Sequence, residues 1–364
     1  MAAPAGGPGP SAHGGGPAAS PLGIVSTFPP AHCGVGRYAE QQAHALEQAG
    51  RPVRRLDIAP MQKQGWTAGR GGSVRALFAA AKGCPEIVVQ FQVWMYRDET
   101  RRSKLAKYLW PQLVLLALLL RHRRRTTMVV HESRYRLYEG PGAFLQYPLV
   151  ALLFWLPARL VFHTPQEVER FRRTFRRRRG IEVRPHHADF QPRVTLSRAE
   201  ARQRLGVPAG ERMVLCIGFY KVHKGFLPFA RAFAKLHAAG RLPPGSRLRL
   251  VVSLQDDGDG AARDELALLQ REAAGSQAVQ VEAGFQDDEA FDTWIAAADV
   301  VALPYLAAFS SGVAARARIL GRPLLVRDVG GLADQAGADG AVYRSEAALE
   351  AALGRLLGTI PSSA

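Results

Sequence analysis

Two stretches of the sequence carry residue types suited to holding a phosphate. In LCIGFYKVHKGFLPFARAFAKL (215–236), Gly218, Lys221, Lys224 and Gly225 follow directly on an apolar run. Two lysines three apart in a glycine-bounded loop can face one phosphate as point charges, although a solvated surface is the commoner fate of lysine. In PYLAAFSSGVAARARILGRPLLVRDVGG (304–331), Ser310, Ser311, Gly312 and Val313 open a helical pattern that runs through Arg316. Free amides and the dipole at such a helix start favour an anion, and RDVGGL (327–332) adds a further turn. Near the amino terminus, STFPPAHCGVGRYAEQQAHAL (26–46) sets Gly34, Gly36 and Arg37 between a strand pattern and a helix. Its glycines allow close backbone approach to a ligand, and a simple strand-to-helix turn would use them equally well. Gln90, His131 and Glu132 sit at the ends of other apolar runs. The neutral ring of His131 can donate one hydrogen bond and accept another, which suits a hydroxyl.

These residues need elements to present them. From Leu22 onward, short runs rich in Val, Ile and Leu alternate with longer helical patterns, as in a parallel sheet covered by helices. Strands are expected at 22–26, 53–58, 87–90, 127–131, 160–163 and 181–184, then at 213–217, 248–253, 279–282, 300–303 and 324–327, with a helix at 227–239 among those between them. The pattern breaks in PHHADFQPRVTLS (185–197), which places a domain boundary there. The expected organisation is a tail (1–20), an amino-terminal domain (21–190) and a carboxy-terminal domain (191–364). Both domains are Rossmann-like doubly wound α/β units, in which ligands bind at the carboxyl ends of strands.

Composition narrows the function. The 364 residues exceed what one core usually organises. Cys33, Cys84 and Cys216 lie far apart, with neither a disulfide framework nor a metal-ligand spacing, which fits a reducing cytosol. The first 20 residues lack the basic and apolar regions of a signal peptide. A formal charge of +17, concentrated in 101–125 and 170–180, calls for an anionic partner. No base-reading motif accompanies it, so specific nucleic-acid recognition is not expected. The apolar run 113–120 is too short to span a bilayer, which takes about 20 apolar residues. With its basic flanks it reads either as a segment lying on an anionic membrane surface or as a buried helix with snorkelling ends.

From Leu22 to about Leu357, the sequence resembles the family 4 glycosyltransferases of GT-B fold. TFPPAHCGVGRYAE is similar to the family's acceptor loop, VVHE to its histidine-bearing strand end and VRPHHAD to its pre-linker turn, with His187 where glycine is usual. GFYKVHKGF resembles the phosphate-gripping loop, with Phe219 in place of the commoner arginine, and AAADVVALPYLAAFSSGVAARARILGRPLLVRDVGGL resembles the donor-binding segment. The resemblance implies retaining transfer of a sugar, a hexose by expectation, from a nucleotide donor to a glycan or lipid-linked acceptor, as in polysaccharide biosynthesis. It places His131, Lys221 and Lys224 in catalysis, and Gly34, Gly36, Gly218, Gly225, Ser310, Ser311, Gly312, Val313 and Arg316 at the donor. Arg37, Gln90 and Glu132 fall to the acceptor.

Both lysines are expected to face solvent in the empty cleft, with amides of Ser311 and Gly312 aimed at the same phosphates. Counting back from Gly321, the family's two glutamates fall at Ala308 and Arg316, which weakens donor recognition and leaves a silent partner- or membrane-binding protein as the alternative. DDGDG (256–260) reads as a polar loop, so metal-independent chemistry without a cofactor is expected.

Overall fold

The computed structural model describes residues 20–133, 147–188, 190–255, 259–308 and 310–358. The stretch read as a tail lies outside them except for Ser20, as do Asp256, Asp257 and Gly258 of the DDGDG loop. The first half is built from β1 (Leu22–Ser26), α1 (Gly34–Gln48), β2 (Val53–Asp57), α2 (Ala59–Gln64), α3 (Ser73–Lys82) and β3 (Glu86–Phe91). It continues through α4 (Lys104–His122), β4 (Thr126–Val130), α5 (Tyr147–Trp155), β5 (Arg159–Phe162), α6 (Pro165–Phe175) and β6 (Ile181–Val183). The second half comprises α7 (Arg198–Leu205), β7 (Arg212–Phe219), α8 (Phe226–Ala238), β8 (Ser246–Ser253), α9 (Gly260–Ala274), β9 (Val279–Ala283) and α10 (Asp288–Ala297). It ends with β10 (Val300–Leu303), α11 (Gly312–Ile319), β11 (Leu324–Arg327), α12 (Leu332–Ala336), β12 (Ala341–Tyr343) and α13 (Glu346–Gly358).

Two sheets of six strands result, ordered β2-β1-β3-β4-β5-β6 and β12-β11-β10-β7-β8-β9. Every adjacent pair is parallel. The inner strands are buried without alternation, as in β1 and β10, because helices cover both faces. The chain reverses its direction of travel across the first sheet between β1 and β3, and across the second between β7 and β10. At such a reversal the flanking loops leave in opposite directions and open a crevice at the carboxyl ends. The β7–β10 crevice receives the lysine loop and the 304–312 loop.

Two expectations change with the structure. The edge strand β12 escapes the sequence pattern, since only Ala341, Val342 and Tyr343 form it. Within α4 the 113–120 run is split between a buried and an exposed face. Val114, Leu115, Leu118 and Leu119 are buried, whereas Leu113 and Leu120 join Leu105, Leu109 and Trp110 on an exposed face.

The second sheet is tied to its preceding helix by Asp299, which is 1% exposed at its side chain. One carboxylate oxygen accepts from Arg202 at 2.6 Å and from the Met213 amide at 2.7 Å, and the other pairs with Arg198. Asp299 thereby joins α7, the start of β7 and the start of β10. Replacing Asp299 by Ala leaves the buried Arg202 guanidinium uncompensated and should cost about 3–5 kcal/mol, measured as a lowered denaturant midpoint. A midpoint within error of the unsubstituted protein would show that the network carries no net stability.

Candidate functional site

In the second sheet the lysine loop forms because Gly218 (φ 122°) and Gly225 (φ 64°) take backbone conformations that side-chain-bearing residues avoid. A Cβ at Gly225 would lie 2.5 Å from the Pro304 carbonyl oxygen, so the loop after β7 packs directly on the loop after β10. A Cβ at Gly218 would stand 3.4 Å from Lys224 Nζ and 3.8 Å from Val313 Cγ2, which brings Gly218, Lys224 and the first turn of α11 together. The Lys224 ammonium lies 5.4 Å from the Tyr305 ring centre and 5.9 Å from that of Phe226. Burial, reinforced by the neighbouring Lys221 charge, lowers the Lys224 pKa from 10.5 to about 8. A desolvated cation without an anionic partner is a group that gains from an arriving phosphate.

The structure corrects three details of the expected anion site. Neither lysine is freely solvent-facing: Lys224 is half-buried, and Lys221 is 16% exposed and paired with Asp259 at 3.2 Å. The Ser311 amide is already used, donating to Gln335 Oε1 at 2.8 Å, while the Ser311 hydroxyl caps α11 at the Ala314 amide. Arg316 turns into the protein. Its side chain is 4% exposed and pairs with Asp288 at 3.1 Å and Asp292 at 3.0 Å on α10. Its charge is therefore neutralised before any donor arrives. Ser310 and Gly312 flank Ser311 at the mouth of α11, Ser310 half-buried, and Gly312 lies against the linker residue Phe190.

The first sheet supplies the facing wall. Cys33, the residue before α1, makes no side-chain cap, and a Cβ at Gly34 would meet open space. Gly36 instead meets the Thr27 carbonyl at 2.8 Å and is needed to seat α1 on the end of β1. Arg37 crosses to the second half of the chain, donating to the Gln286 carbonyl, pairing with Asp288 at 3.7 Å and covering the Phe285 ring at 4.7 Å. His32 stacks on Phe285 at 4.2 Å. Arg37 and Arg316 thus share Asp288 across the two sheets, and Arg37 acts in this structure as an interdomain contact.

Gln90, expected at an acceptor, is fully buried and donates to Gln42 Oε1 at 2.7 Å. Its carbonyl oxygen is 2.8 Å from His131 Nε2, which fixes the proton on that nitrogen. Glu132 is buried beside them and accepts from Gln92 at 3.3 Å. His131 also gathers two histidines that the motif reading did not select. His163 follows β5 as His131 follows β4, and His186 follows β6; their ligand-capable nitrogens all lie within 4.8 Å of one another. The signal was present as V-V-H, V-F-H and V-R-P-H at three successive strand ends.

Burial keeps all three rings neutral, with His163 lowered from 6.5 to about 4 and His131 and His186 also held well below 6.5. The unfolded chain therefore takes up protons below pH 6.5 that the folded one refuses, so this contribution to stability, present above 6.5, is lost as pH falls towards 4. For His163 alone the difference amounts to about 3 kcal/mol. Glu167 opposes it: burial raises its carboxyl from 4.5 to about 7, a contribution present below 4.5 and lost as pH rises through 7. Urea unfolding between pH 7 and 4.5 should show falling stability, steeper in Glu167→Gln; a flat profile, or a shallower one in the variant, would contradict the assignment.

Comparison with known proteins places this geometry. Residues 211–359 match the glycosyl transferases group 1 family model. The D-inositol 3-phosphate glycosyltransferase of Nocardia farcinica is 34% identical over 206 residues, 55% of this chain and 45% of the relative. The 2-deoxystreptamine N-acetyl-D-glucosaminyltransferase of Streptomyces fradiae is 30% identical over 218 residues, 58% of this chain and 50% of the relative. The chain spans about half the length of these curated relatives. Sucrose-phosphate synthase of Thermosynechococcus elongatus superposes with a TM-score of 0.67 at 21% identity, covering 93% of this chain and 90% of that one. HepE of Anabaena, solved with UDP and glucose, does so with a TM-score of 0.62 at 16% identity, covering 94% and 89%. Residues 211–359 are thus a glycosyl transferases group 1 domain, set within the two-sheet α/β architecture of GT-B glycosyltransferases.

Proposed function

We propose that this chain transfers a hexosyl group from a nucleoside diphosphate sugar to a glycan or lipid-linked acceptor, with retention of configuration and without a metal ion on the leaving group. The observation that carries this reading is Lys224, a half-buried ammonium with no carboxylate partner among the described residues, set beside Gly218, which itself approaches Val313 of α11 at the sheet's reversal point. As the bond from the sugar carbon to the diphosphate oxygen breaks, the electron pair stays on that oxygen. In this reading Lys224 and the Gly312 amide stabilise that charge, and donors held in place beforehand lower the barrier without reorganisation. Lys221 contributes less because Asp259 shares its charge. His131, polarised by Gln90, faces the sugar from the first sheet in this reading. With Ala308 and the neutralised Arg316 where the family's glutamates fall, sugar selection rests on other groups. Uridine diphosphate sugars are the first donors to test, since HepE of Anabaena was solved with UDP-glucose.

The acceptor side adds a surface. Leu105, Leu109, Trp110, Leu113 and Leu120 on α4 are exposed, as are Leu152 and Trp155 on the neighbouring α5. Exposed Arg101, Arg102, Arg121, Arg123, Arg124 and Arg125 flank them. Among the described residues no helix is long and apolar enough to cross a membrane. An apolar face bordered by arginine suits shallow burial in an anionic leaflet, where a lipid-linked acceptor would be met.

Purified protein incubated with a panel of nucleotide sugars should show a raised melting temperature with its donor and release of the nucleoside diphosphate. Lys224→Ala should lower turnover by on the order of 100-fold or more, and Lys221→Ala by less. Diphosphate affinity should weaken above pH 8, where free Lys224 loses its proton. If no nucleotide sugar binds, the chain is a silent GT-B protein; if donor turnover survives both substitutions, the phosphate site lies elsewhere. Cosedimentation should occur with phosphatidylglycerol vesicles, decline with salt and be lost in a Leu105→Glu, Leu120→Glu variant. Equal pelleting with neutral vesicles would exclude the membrane surface.

A further inference from the structure

We propose that His131, His163 and His186 form a binding site for one divalent transition-metal ion of the zinc class, with water in the fourth position. The three rings come from the carboxyl ends of β4 and β5 and the turn after β6, and their ligand-capable nitrogens lie within 4.8 Å of one another. Zinc–nitrogen bonds of about 2.0–2.1 Å in tetrahedral geometry need nitrogens roughly 3.4 Å apart, so the rings must close by about an ångström.

Two of the three histidines hold unused nitrogens out of water. His163 is 3% exposed and places Nδ1 3.0 Å from the Arg184 carbonyl oxygen, so that nitrogen carries the proton and Nε2 is left as a bare lone pair. His163 Nε2 is buried with no hydrogen-bond partner. His186 is 6% exposed, and its Nδ1 is buried in the same condition. Buried acceptors left without a donor are costly, and native structures seldom keep two side by side. The His163 and His186 rings stack 3.4 Å apart.

The outer partners are those a metal site needs. Ligating histidines commonly donate the other ring N–H to a carbonyl, which fixes the tautomer and raises the basicity of the ligand. Arg184 supplies that carbonyl to His163 and Gln90 supplies it to His131. Gln90 is itself oriented by Gln42, so its oxygen and not its amide faces the ring. Tyr38 stands nearly perpendicular to all three rings at 5.0–5.3 Å and closes the pocket from α1. His131 is the half-buried member, so an ion enters from its side. A bound ion would clamp three successive loops of the first sheet and engage the histidine assigned to the sugar.

Metal binding is read without donor or acceptor, so its outcome is independent of the proposed transferase activity. Tag-free protein, stripped with chelator, is titrated with Co2+ and followed by visible absorption. The expected result is one equivalent bound with the intense bands of a four-coordinate ion, displaced by Zn2+, and a raised melting temperature with Zn2+. His163→Ala and His186→Ala should weaken binding by on the order of 100-fold or more, since loss of even an outer partner commonly costs 10–100-fold. His44→Ala, on the surface of α1, should leave it unchanged. Should either cluster variant fail to fold, the spectrum of the unsubstituted protein still decides. Less than stoichiometric binding, a six-coordinate spectrum, or binding retained in both folded cluster variants would overturn the site and leave the lone pairs to a buried water.

Discussion

Parallel pairing of every strand is the constraint from which the rest of this molecule follows. When all strands in a sheet run the same way, all their carboxyl ends emerge on one edge, and each must be followed by a crossover helix. Residues far apart in sequence are thereby delivered to one line of loops. Gly225 meets Pro304, and Gly218 approaches Val313 of α11, because β7 and β10 are neighbours at the reversal point of the second sheet. His131, His163 and His186 meet because β4, β5 and β6 are adjacent and in register. The same topology that positions the lysine loop in one half thus concentrates imidazoles in the other.

The buried charges are treated in two opposite ways, and the difference separates structure from function. Arg316, Arg37, Asp288 and Asp292 form a network across the two halves in which each cation has an acid at hand. Asp292, fully buried, is nonetheless raised in pKa by that burial, with Arg316 offsetting part of the effect. Such a network fixes the relation of α1 to α10 and leaves little charge for a ligand. Lys224 is handled differently. It is desolvated, its nearest charged neighbour is another cation, and its pKa falls accordingly. A cation desolvated in this way marks a candidate functional group.

The fold was largely legible in the sequence because its signals are local. A fully buried parallel strand must be a short run of Val, Ile and Leu, and a crossover helix must follow it, so β1 and β10 could be read to the residue and most other strands to within one or two. The glycines of the lysine loop were legible for the same reason, since a left-handed turn at Gly225 is a property of that residue and its immediate neighbours. Edge strand β12 was missed because a three-residue strand carries too few positions to make a pattern.

Side-chain partnership was not legible, because it depends on which loops the sheet order makes adjacent. The sequence by itself determined that Arg316 would stand in the first turns of a helix after a serine-glycine turn; only the tertiary structure decided that the helix would present Arg316 to the acids of α10 and not to a ligand. Likewise, nothing local distinguishes Lys221, neutralised by Asp259, from Lys224, left without an acid. The three histidines were visible as single letters at strand ends. Their approach to within 4.8 Å arises from strand pairing over more than fifty residues of chain, a distance at which residue type and spacing carry no information about contact.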